Sequence, residues 1–215
     1  MHNYTPRVFL IVGSPASGKD ELISAVNTIG KLHAEIVPKH ANRDVRVDDG
    51  DEMICKERFS QIGELELNDQ FDLENCDFSY ENYGTTYGIK TSAIWDKLQK
   101  GVNQVVVVSD REALNQLMGR FGNLAVVVYV YSQVTRSEYH ERELAKLKKS
   151  KGSEILSQEE VGYIDRRVAE FDKAWEIYVE NFMLFDHVLV YADAQEDLFD
   201  QVFRLFKAYE RGLLR

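Results

Sequence analysis

The chain has 215 residues and a formal net charge of −10, which arises from 36 acidic and 26 basic residues. This length is enough for one α/β domain with insertions and its own hydrophobic core. The acidic balance argues against a general nucleic-acid binder, which would present a basic face. No apolar run approaches the roughly 20 residues of a membrane span, and Cys55 and Cys76 are too few for a disulfide framework. We therefore expect a cytoplasmic protein with reduced thiols, no signal peptide and no membrane contact.

The first informative segment is a glycine-containing loop between a predicted strand and a predicted helix. Residues 8–12 are all apolar, and a helical pattern covers residues 19–32. The intervening Gly-Ser-Pro-Ala-Ser-Gly-Lys of residues 13–19 has the G-x-x-x-x-G-K spacing of phosphate-binding loops. Glycines let successive backbone N–H groups curl around a polyphosphate, and the helix N-terminus adds its positive dipole end. The sequence therefore predicts nucleotide binding by Gly13, Ser14, Ser17, Gly18, Lys19 and Asp20.

Asp20 departs from the common form of this loop, which has a Ser or Thr whose hydroxyl contacts Mg²⁺. A carboxylate is also a hard oxygen donor and can ligate Mg²⁺. The alternative is that the carboxylate repels a triphosphate and leaves a degraded site. We predict Asp20 as the metal ligand, either directly or through water.

Strand and helix patterns alternate along the rest of the chain. Strands are predicted over residues 34–38, 105–108, 124–131 and 186–191. Helices are predicted over residues 53–61, 91–100, 112–120, 137–151, 158–182 and 196–214. This alternation favours an α/β fold with a doubly wound parallel sheet.

The helix over residues 158–182 has the clearest periodic pattern. Its apolar residues recur every three or four positions, which predicts one buried stripe. The stripe consists of Val161, Ile164, Val168, Phe171, Trp175, Tyr178 and Phe182. Two arginines, Arg166 and Arg167, flank it.

Two charged segments interrupt the core pattern. We expect residues 39–88 to form an inserted subdomain that binds an acceptor, and residues 137–160 to form a helical lid. The core would then consist of residues 1–38, 89–136 and 161–215. Such insertions resemble the moving parts of a kinase.

Three sequence features carry a family resemblance. Gly18-Lys19-Asp20 is similar to a G-K-D that ends certain phosphate loops, and residues 78–88 resemble the pattern L-S-W-x-A-x-G-L-x-Y-G, with Tyr80 in place of Trp. After the strand at residues 105–108, Asp110 and Arg111 begin a segment similar to S-R-x-x-L, with Asp110 in place of Ser. Residues 8–209 thus resemble the guanylate kinase superfamily of P-loop kinases, and most of all the ribose 1,5-bisphosphate phosphokinases of phosphonate metabolism.

The resemblance implies an ATP- and Mg²⁺-dependent phosphotransferase that acts on a small phosphorylated acceptor. Arg43 and Arg46 have the spacing of the paired arginines that bind the acceptor phosphate, and an arginine fork matches two phosphate oxygens. Ile164-x-x-Arg167 resembles the I-x-x-R of the helix after the lid, where the arginine reaches the transferred phosphoryl group. Arg142, on the lid helix, is a looser match for a second catalytic arginine. Lys19 would bind the outer phosphates.

The remaining candidate residues surround the acceptor. Asp110 would orient the acceptor or Mg²⁺-bound water, and it could equally be the N-cap of the helix that follows. Tyr80, Glu81, Tyr87 and Arg111 would bind the acceptor, although tyrosines at this density also pack against one another. We expect no nucleic-acid partner, and a homodimer stays open.

Other functions remain as alternatives. A guanylate kinase would need carboxylates that accept from guanine, but the corresponding glutamate position falls on Phe78. A catalytically inactive guanylate-kinase-like module would bind phosphorylated partners and would explain Asp20 if the G-K-D likeness is misleading. A P-loop hydrolase would need no acceptor subdomain, whereas residues 39–90 have the pattern of one.

Overall fold

The structure is a computed structural model that describes residues 4–44, 53–59, 65–67, 71–82, 84–151, 155–192 and 195–214. Within these residues it contains ten β-strands. The strands are β1 Val8–Val12, β2 Ala34–Ile36, β3 Lys39–Asp44, β4 Met53–Phe59, β5 Leu65–Leu67, β6 Phe78–Asn82, β7 Thr85–Ile89, β8 Asn103–Val107, β9 Ala125–Ser132 and β10 His187–Tyr191.

The described residues also form six α-helices and two short 3₁₀ helices. The α-helices are α1 Lys19–Thr28, α2 Thr91–Gln99, α3 Arg111–Phe121, α4 Arg136–Lys151, α5 Gln158–Glu180 and α6 Gln195–Glu210. The 3₁₀ helices are Gly122–Leu124 and Phe182–Leu184.

Five parallel strands form the main sheet in the order β10-β9-β1-β8-β2. The central strand β1 pairs with β8 and β9, and all five of its residues are buried. Strands that are apolar on both faces are expected where helices cover both faces of a parallel sheet. The loop after Val12 and the carboxylate of Asp110 follow the carboxyl ends of β1 and β8, where such sheets bind ligands.

Helices pack on both faces of the main sheet. On one face, Phe9 of β1 stacks on Phe206 of α6 with ring centres 4.1 Å apart. On the other face, Tyr129 of β9 stacks on Tyr178 of α5 with ring centres 4.3 Å apart. The predicted α/β class with a doubly wound parallel sheet is therefore confirmed.

A second five-stranded sheet lies between β2 and α2 in the sequence, in the order β5-β4-β3-β7-β6. Only the β3–β4 pair is parallel among its described pairings. Because side chains alternate along strands, the pairs Tyr80–Tyr87 and Ala41–Tyr87 place these residues on one face. We call this the tyrosine face, and it also carries Lys39, Asn82 and Thr85.

The opposite face of the second sheet is covered by residues 71–77. A Cβ atom at Gly88 would lie 2.4 Å from Leu73 Cδ1 and 2.7 Å from Cys76 Sγ, so only glycine fits there. His40 Nδ1 on this face accepts a hydrogen bond from the Asp72 backbone N–H at 3.0 Å. Residues 71–77 thus leave the tyrosine face of the second sheet uncovered.

The predicted helix over residues 53–61 is wrong, because residues 53–59 form β4. This strand pairs with β3 on one side and β5 on the other. A short segment without caps, glycine or proline has only a weak intrinsic preference, and its pairing partners decide its structure.

The predicted buried stripe of α5 is correct only in part. Ile164, Val168 and Phe171 are buried against α4. Val161, Trp175 and Phe182 are 47%, 42% and 63% exposed, while Tyr178 is partly buried against the main sheet. A strict seven-residue repeat drifts around a straight helix by about 20° per heptad. The helix also changes partner along its length, since Ala174 and Ile177 are buried in the second half and Ile177 packs in the core of the main sheet. None of the described helices is both long and apolar enough to cross a membrane.

Candidate functional site

The loop between β1 and α1 is closely packed around its glycines. A Cβ atom at Gly13 would lie 2.4 Å from Ser17 Oγ and 2.7 Å from the Val130 carbonyl oxygen. Gly18 has φ = +93°, a left-handed conformation that disfavours other residues, and it begins α1. Its Cα lies against the Tyr191 side chain. The loop therefore requires both glycines of the G-x-x-x-x-G-K pattern.

Lys19 folds back over this loop. Its Nζ donates hydrogen bonds to the carbonyl oxygens of Gly13 at 2.9 Å and Ser14 at 2.6 Å. Burial lowers the pKa of Lys19 to about 8, and the nearby carboxylate of Asp20 opposes this shift. The positive charges of Lys39 and Arg167 lower the pKa further. The charges of two cations from other elements, Lys39 and Arg167, thus act on Lys19.

The polar groups of the loop fit a bound polyphosphate. Ser17 Oγ is buried, and no protein group in the described part of the chain hydrogen-bonds to it. The hydroxyl of Ser14 lies beside the hydroxyl of Tyr129. A loop with a buried hydroxyl, a retracted lysine and a helix N-terminus suits an anionic ligand.

Asp20 is the one predicted metal ligand, and it is exposed in the first turn of α1. No group of three or more His, Cys, Asp or Glu side chains that could bind a metal occurs among the described residues. Mg²⁺ in phosphoryl-transfer sites is bound by one or two carboxylates together with substrate phosphates and water. A single carboxylate next to a phosphate loop fits a Mg²⁺ ion that arrives with the nucleotide.

The tyrosine face supplies the second part of the site. The rings of Tyr80 and Tyr87 stack with centres 5.3 Å apart and planes inclined by 20°. The Lys39 ammonium lies 5.6 Å from the centre of the Tyr87 ring. The Tyr80 hydroxyl is buried, and none of the described protein groups hydrogen-bonds to it. Burial raises the pKa of Tyr80 well above its usual value, with smaller contributions from Tyr87 and from the charge of Asp110.

Asp110 follows β8 and caps α3. Its Oδ1 accepts a hydrogen bond from the Ala113 backbone N–H at 3.0 Å, which confirms the N-cap interpretation. Its Oδ2 accepts from Lys173 Nζ at 3.1 Å. Both carboxylate oxygens therefore have protein partners. The charge of the carboxylate also contributes to the raised pKa of Tyr80.

The two predicted catalytic arginines have different surroundings. Arg167 is mostly buried, and its guanidinium pairs with Glu170 at 2.7 Å and with Glu143 of α4 at 3.4 Å. Arg142 is exposed on α4. The structure thus brings Arg167 near Lys19, while Arg142 faces solvent.

The other predicted acceptor residues have different surroundings. Arg43 Nη1 donates to the Asp44 carbonyl oxygen at 2.8 Å and contacts Cys55 Sγ at 3.6 Å. Arg111 pairs with Glu180 and Asn181 at the end of α5. Glu81 is exposed and, by strand alternation, lies on the face opposite Tyr80. The prediction for Arg46 lies outside the described residues.

Four residues of the site were not predicted from the sequence. They are Lys39, Glu143, Glu170 and Lys173. A prediction of the strand at residues 39–44 would have identified Lys39, because side chains two residues apart on a strand share a face and Lys39 would lie beside Ala41. Glu143 follows Tyr139 at the four-residue spacing of one helix face, within a segment whose charge suggested a fully solvated helix.

Comparison with solved structures identifies the fold. A guanylate kinase from Anaplasma phagocytophilum is similar with a TM-score of 0.58 and 15% identity, over 96% of this chain and 87% of that chain. A dephospho-CoA kinase from Campylobacter jejuni aligns with a TM-score of 0.42 and 14% identity, over 97% of this chain and 100% of that chain. No protein-family model matches the sequence, and no curated protein matches it significantly. The chain has the P-loop kinase fold.

Proposed function

We propose that this chain is an ATP- and Mg²⁺-dependent phosphotransferase that moves the γ-phosphoryl group of ATP to a small phosphorylated acceptor. The observation that supports this most is the convergence of Lys39 and Arg167 on Lys19, whose pKa both of them lower. Each cation comes from a different element: the phosphate loop, the second sheet and the helix after the lid. Phosphoryl transfer requires cations around the equatorial oxygens of the transferred group, and little covalent chemistry from side chains.

The phosphate loop would bind ATP. Lys19 would exchange the carbonyl oxygens of Gly13 and Ser14 for β- and γ-phosphate oxygens, and the loop N–H groups would donate to the same phosphates. Asp20 would contact Mg²⁺, directly or through water. When bound, Mg²⁺ neutralises the developing charge on the phosphates. Arg167 would contact the transferred phosphoryl group.

The tyrosine face would bind the acceptor. The side chains that β6 and β7 contribute to this face are two tyrosines, one amide and one threonine hydroxyl: Tyr80, Asn82, Thr85 and Tyr87. None of these four is a carboxylate of the kind that reads guanine, and Glu81 lies on the other face. We therefore propose a sugar phosphate of the ribose 1,5-bisphosphate type rather than GMP. Lys39 would bind the acceptor phosphate near the transferred group, and Asp110 would orient the acceptor.

The test is ATP consumption by the purified chain with Mg²⁺ and a panel of acceptors. The panel contains ribose 1,5-bisphosphate, ribose monophosphates, GMP, dGMP, AMP, CMP and UMP. Turnover with a ribose phosphate supports the proposal. Turnover with GMP alone would show a guanylate kinase and overturn the acceptor assignment. ATP binding without turnover of any acceptor would favour a phosphate-binding module, and equal ATP hydrolysis with and without acceptors would favour a P-loop hydrolase.

A further inference from the structure

The lid helix contains a buried carboxylate. The Glu143 side chain is 6% exposed, and the other buried polar side chains of the described residues carry no carboxyl group. A buried charge is costly unless cations compensate it. Lys146 Nζ donates to Glu143 Oε1 at 2.9 Å, and Arg167 Nε donates to Glu143 Oε2 at 3.4 Å. Glu143 therefore joins the lid helix to Arg167, whose charge acts on Lys19 of the phosphate loop.

The junction around this carboxylate is firmly packed. Tyr139, one turn before Glu143, is 1% exposed and stacks on Phe171 of α5 with ring centres 5.1 Å apart. Arg167 is also paired with Glu170 on its own helix at 2.7 Å. The guanidinium is thus bound from two directions, by one carboxylate of α5 and one of α4. Its side chain is only 14% exposed.

We propose that Glu143 is a positioning residue for phosphoryl transfer, which fixes Arg167 beside the phosphate loop and couples that position to the lid helix. This inference rests on the proposed function, in which Arg167 contacts the transferred group. An arginine side chain has several rotatable bonds, and a carboxylate on a second helix restricts them. Misplacing a catalytic group by about 1 Å can cost roughly a hundredfold in rate.

The experiment compares Glu143→Gln with Glu141→Gln, a matched control two residues away on the exposed side of α4. We expect Glu143→Gln to lower kcat roughly tenfold to a hundredfold, with a smaller change in the KM for ATP. Glu141→Gln should stay within about twofold of the wild type, as surface changes usually do. A normal kcat for Glu143→Gln would overturn the proposal. So would an equal loss in both variants.

A double-mutant cycle separates positioning from general structural support. In an Arg167→Met background, Glu143→Gln should cause no further loss of kcat, because its effect acts through the guanidinium. A purely structural role would lower activity equally in both backgrounds, and that additive result would overturn the proposal. If Glu143→Gln does not fold, Glu143→Asp keeps the buried charge and shortens its reach by one methylene. It should lower kcat as well, and a normal kcat would contradict the proposal.

A second readout concerns the loop itself. The charged groups that act on Lys19 are Asp20, Glu21, Lys39 and Arg167. If Glu143→Gln lets the Arg167 guanidinium leave, the pKa of Lys19 rises, and the alkaline limb of kcat/KM for ATP moves to higher pH. An alkaline limb unchanged from that of the wild type would contradict the proposal.

Binding of ATP·Mg²⁺, measured by calorimetry, distinguishes this proposal from the proposed function. If the chain binds ATP but phosphorylates no acceptor, the proposed function fails. The double-mutant cycle of Glu143→Gln and Arg167→Met can then still be measured through the affinity for ATP·Mg²⁺. Non-additive effects of Glu143→Gln and Arg167→Met on affinity would still support positioning by Glu143. Additive effects would overturn it.

Discussion

The ammonium group of Lys39 lies over the ring of Tyr87, 5.6 Å from its centre, and its charge also lowers the pKa of Lys19. Lys39 is 7% exposed, an unusual degree of burial for a lysine side chain. It therefore connects the phosphate loop with the tyrosine face. Under the proposed function, Lys39 would bind the acceptor phosphate here.

Replacing Lys39 by Met should raise the KM of the acceptor that turns over by roughly tenfold or more, because a charge-assisted hydrogen bond to phosphate contributes about 1.5–3 kcal/mol. The KM for ATP should change less. Steady-state kinetics with each substrate varied in turn checks this. Lys97→Met is the control, since Lys97 pairs with Glu35 on the exposed surface. An unchanged acceptor KM would place the acceptor elsewhere.

Gly13→Ala should abolish ATP binding. The added Cβ would lie 2.4 Å from Ser17 Oγ and 2.7 Å from a backbone carbonyl oxygen, so the loop has to move. Gly119→Ala is the matched control, because a Cβ there meets no atom within 4 Å. Gly119 lies in the last turn of α3, where alanine should stabilise the protein by up to about 0.5–1 kcal/mol. Calorimetric titration measures the ATP affinity of each variant, and thermal unfolding measures its stability. ATP affinity equal in the two variants would contradict the role assigned to the loop.

The kcat/KM for ATP should fall as the pH rises through about 8. Burial and the charges of Lys39 and Arg167 lower the pKa of Lys19 to about 8 in the free protein. Lys19 is charged below this pH and can bind phosphates, whereas above it the neutral amine predominates. A pH series at constant ionic strength measures the limb, and in Lys39→Met the limb should move to higher pH. A flat profile between pH 7 and 9.5 would contradict the assignment.

Two substitutions at Asp110 separate its structural role from its proposed chemical role. Asn is as good an N-cap as Asp, so Asp110→Asn should retain the bond from the Ala113 N–H, whereas Asp110→Ala should lose about 1 kcal/mol of unfolding free energy. Both variants also lose the ion pair with Lys173, which is 42% exposed, and this lowers their unfolding free energy further, by about 0.2–1 kcal/mol. Urea unfolding measures these values. If Asp110 orients the acceptor, Asp110→Asn should still lower kcat. Full activity in the Asn variant would reduce Asp110 to a helix cap.

The core of the fold was predictable because its signals are local. The apolar strands of the main sheet and the loop from Gly13 to Lys19 are both visible as short patterns with a physical cause. β4 was not predictable, since its structure depends on pairing with β3 and β5. The buried face of α5 changes between Phe171 and Ala174 because the helix packs first on α4 and then on the main sheet.

The site was predictable only where a residue lies in a recognised pattern. Lys19 and Asp110 lie where a loop after a strand enters a helix, and their placement needs no knowledge of distant contacts. Lys39 and Glu143 gain their significance from burial, which depends on the second sheet and the packing of α4 on α5. Arg111 illustrates the converse, because a charged residue at a strand end is drawn to Glu180 and Asn181 instead of the cleft.

The most direct measurement is the affinity of the chain for ATP·Mg²⁺, determined by calorimetry for the wild type and for Lys19→Ala. The central claim is that Lys19 exchanges its hydrogen bonds with Gly13 and Ser14 for phosphate oxygens. The wild type should bind, and Lys19→Ala should remain folded and bind at least roughly tenfold more weakly, a loss of about 1.4 kcal/mol. Equal affinities, or no binding by the folded wild type, would contradict the account.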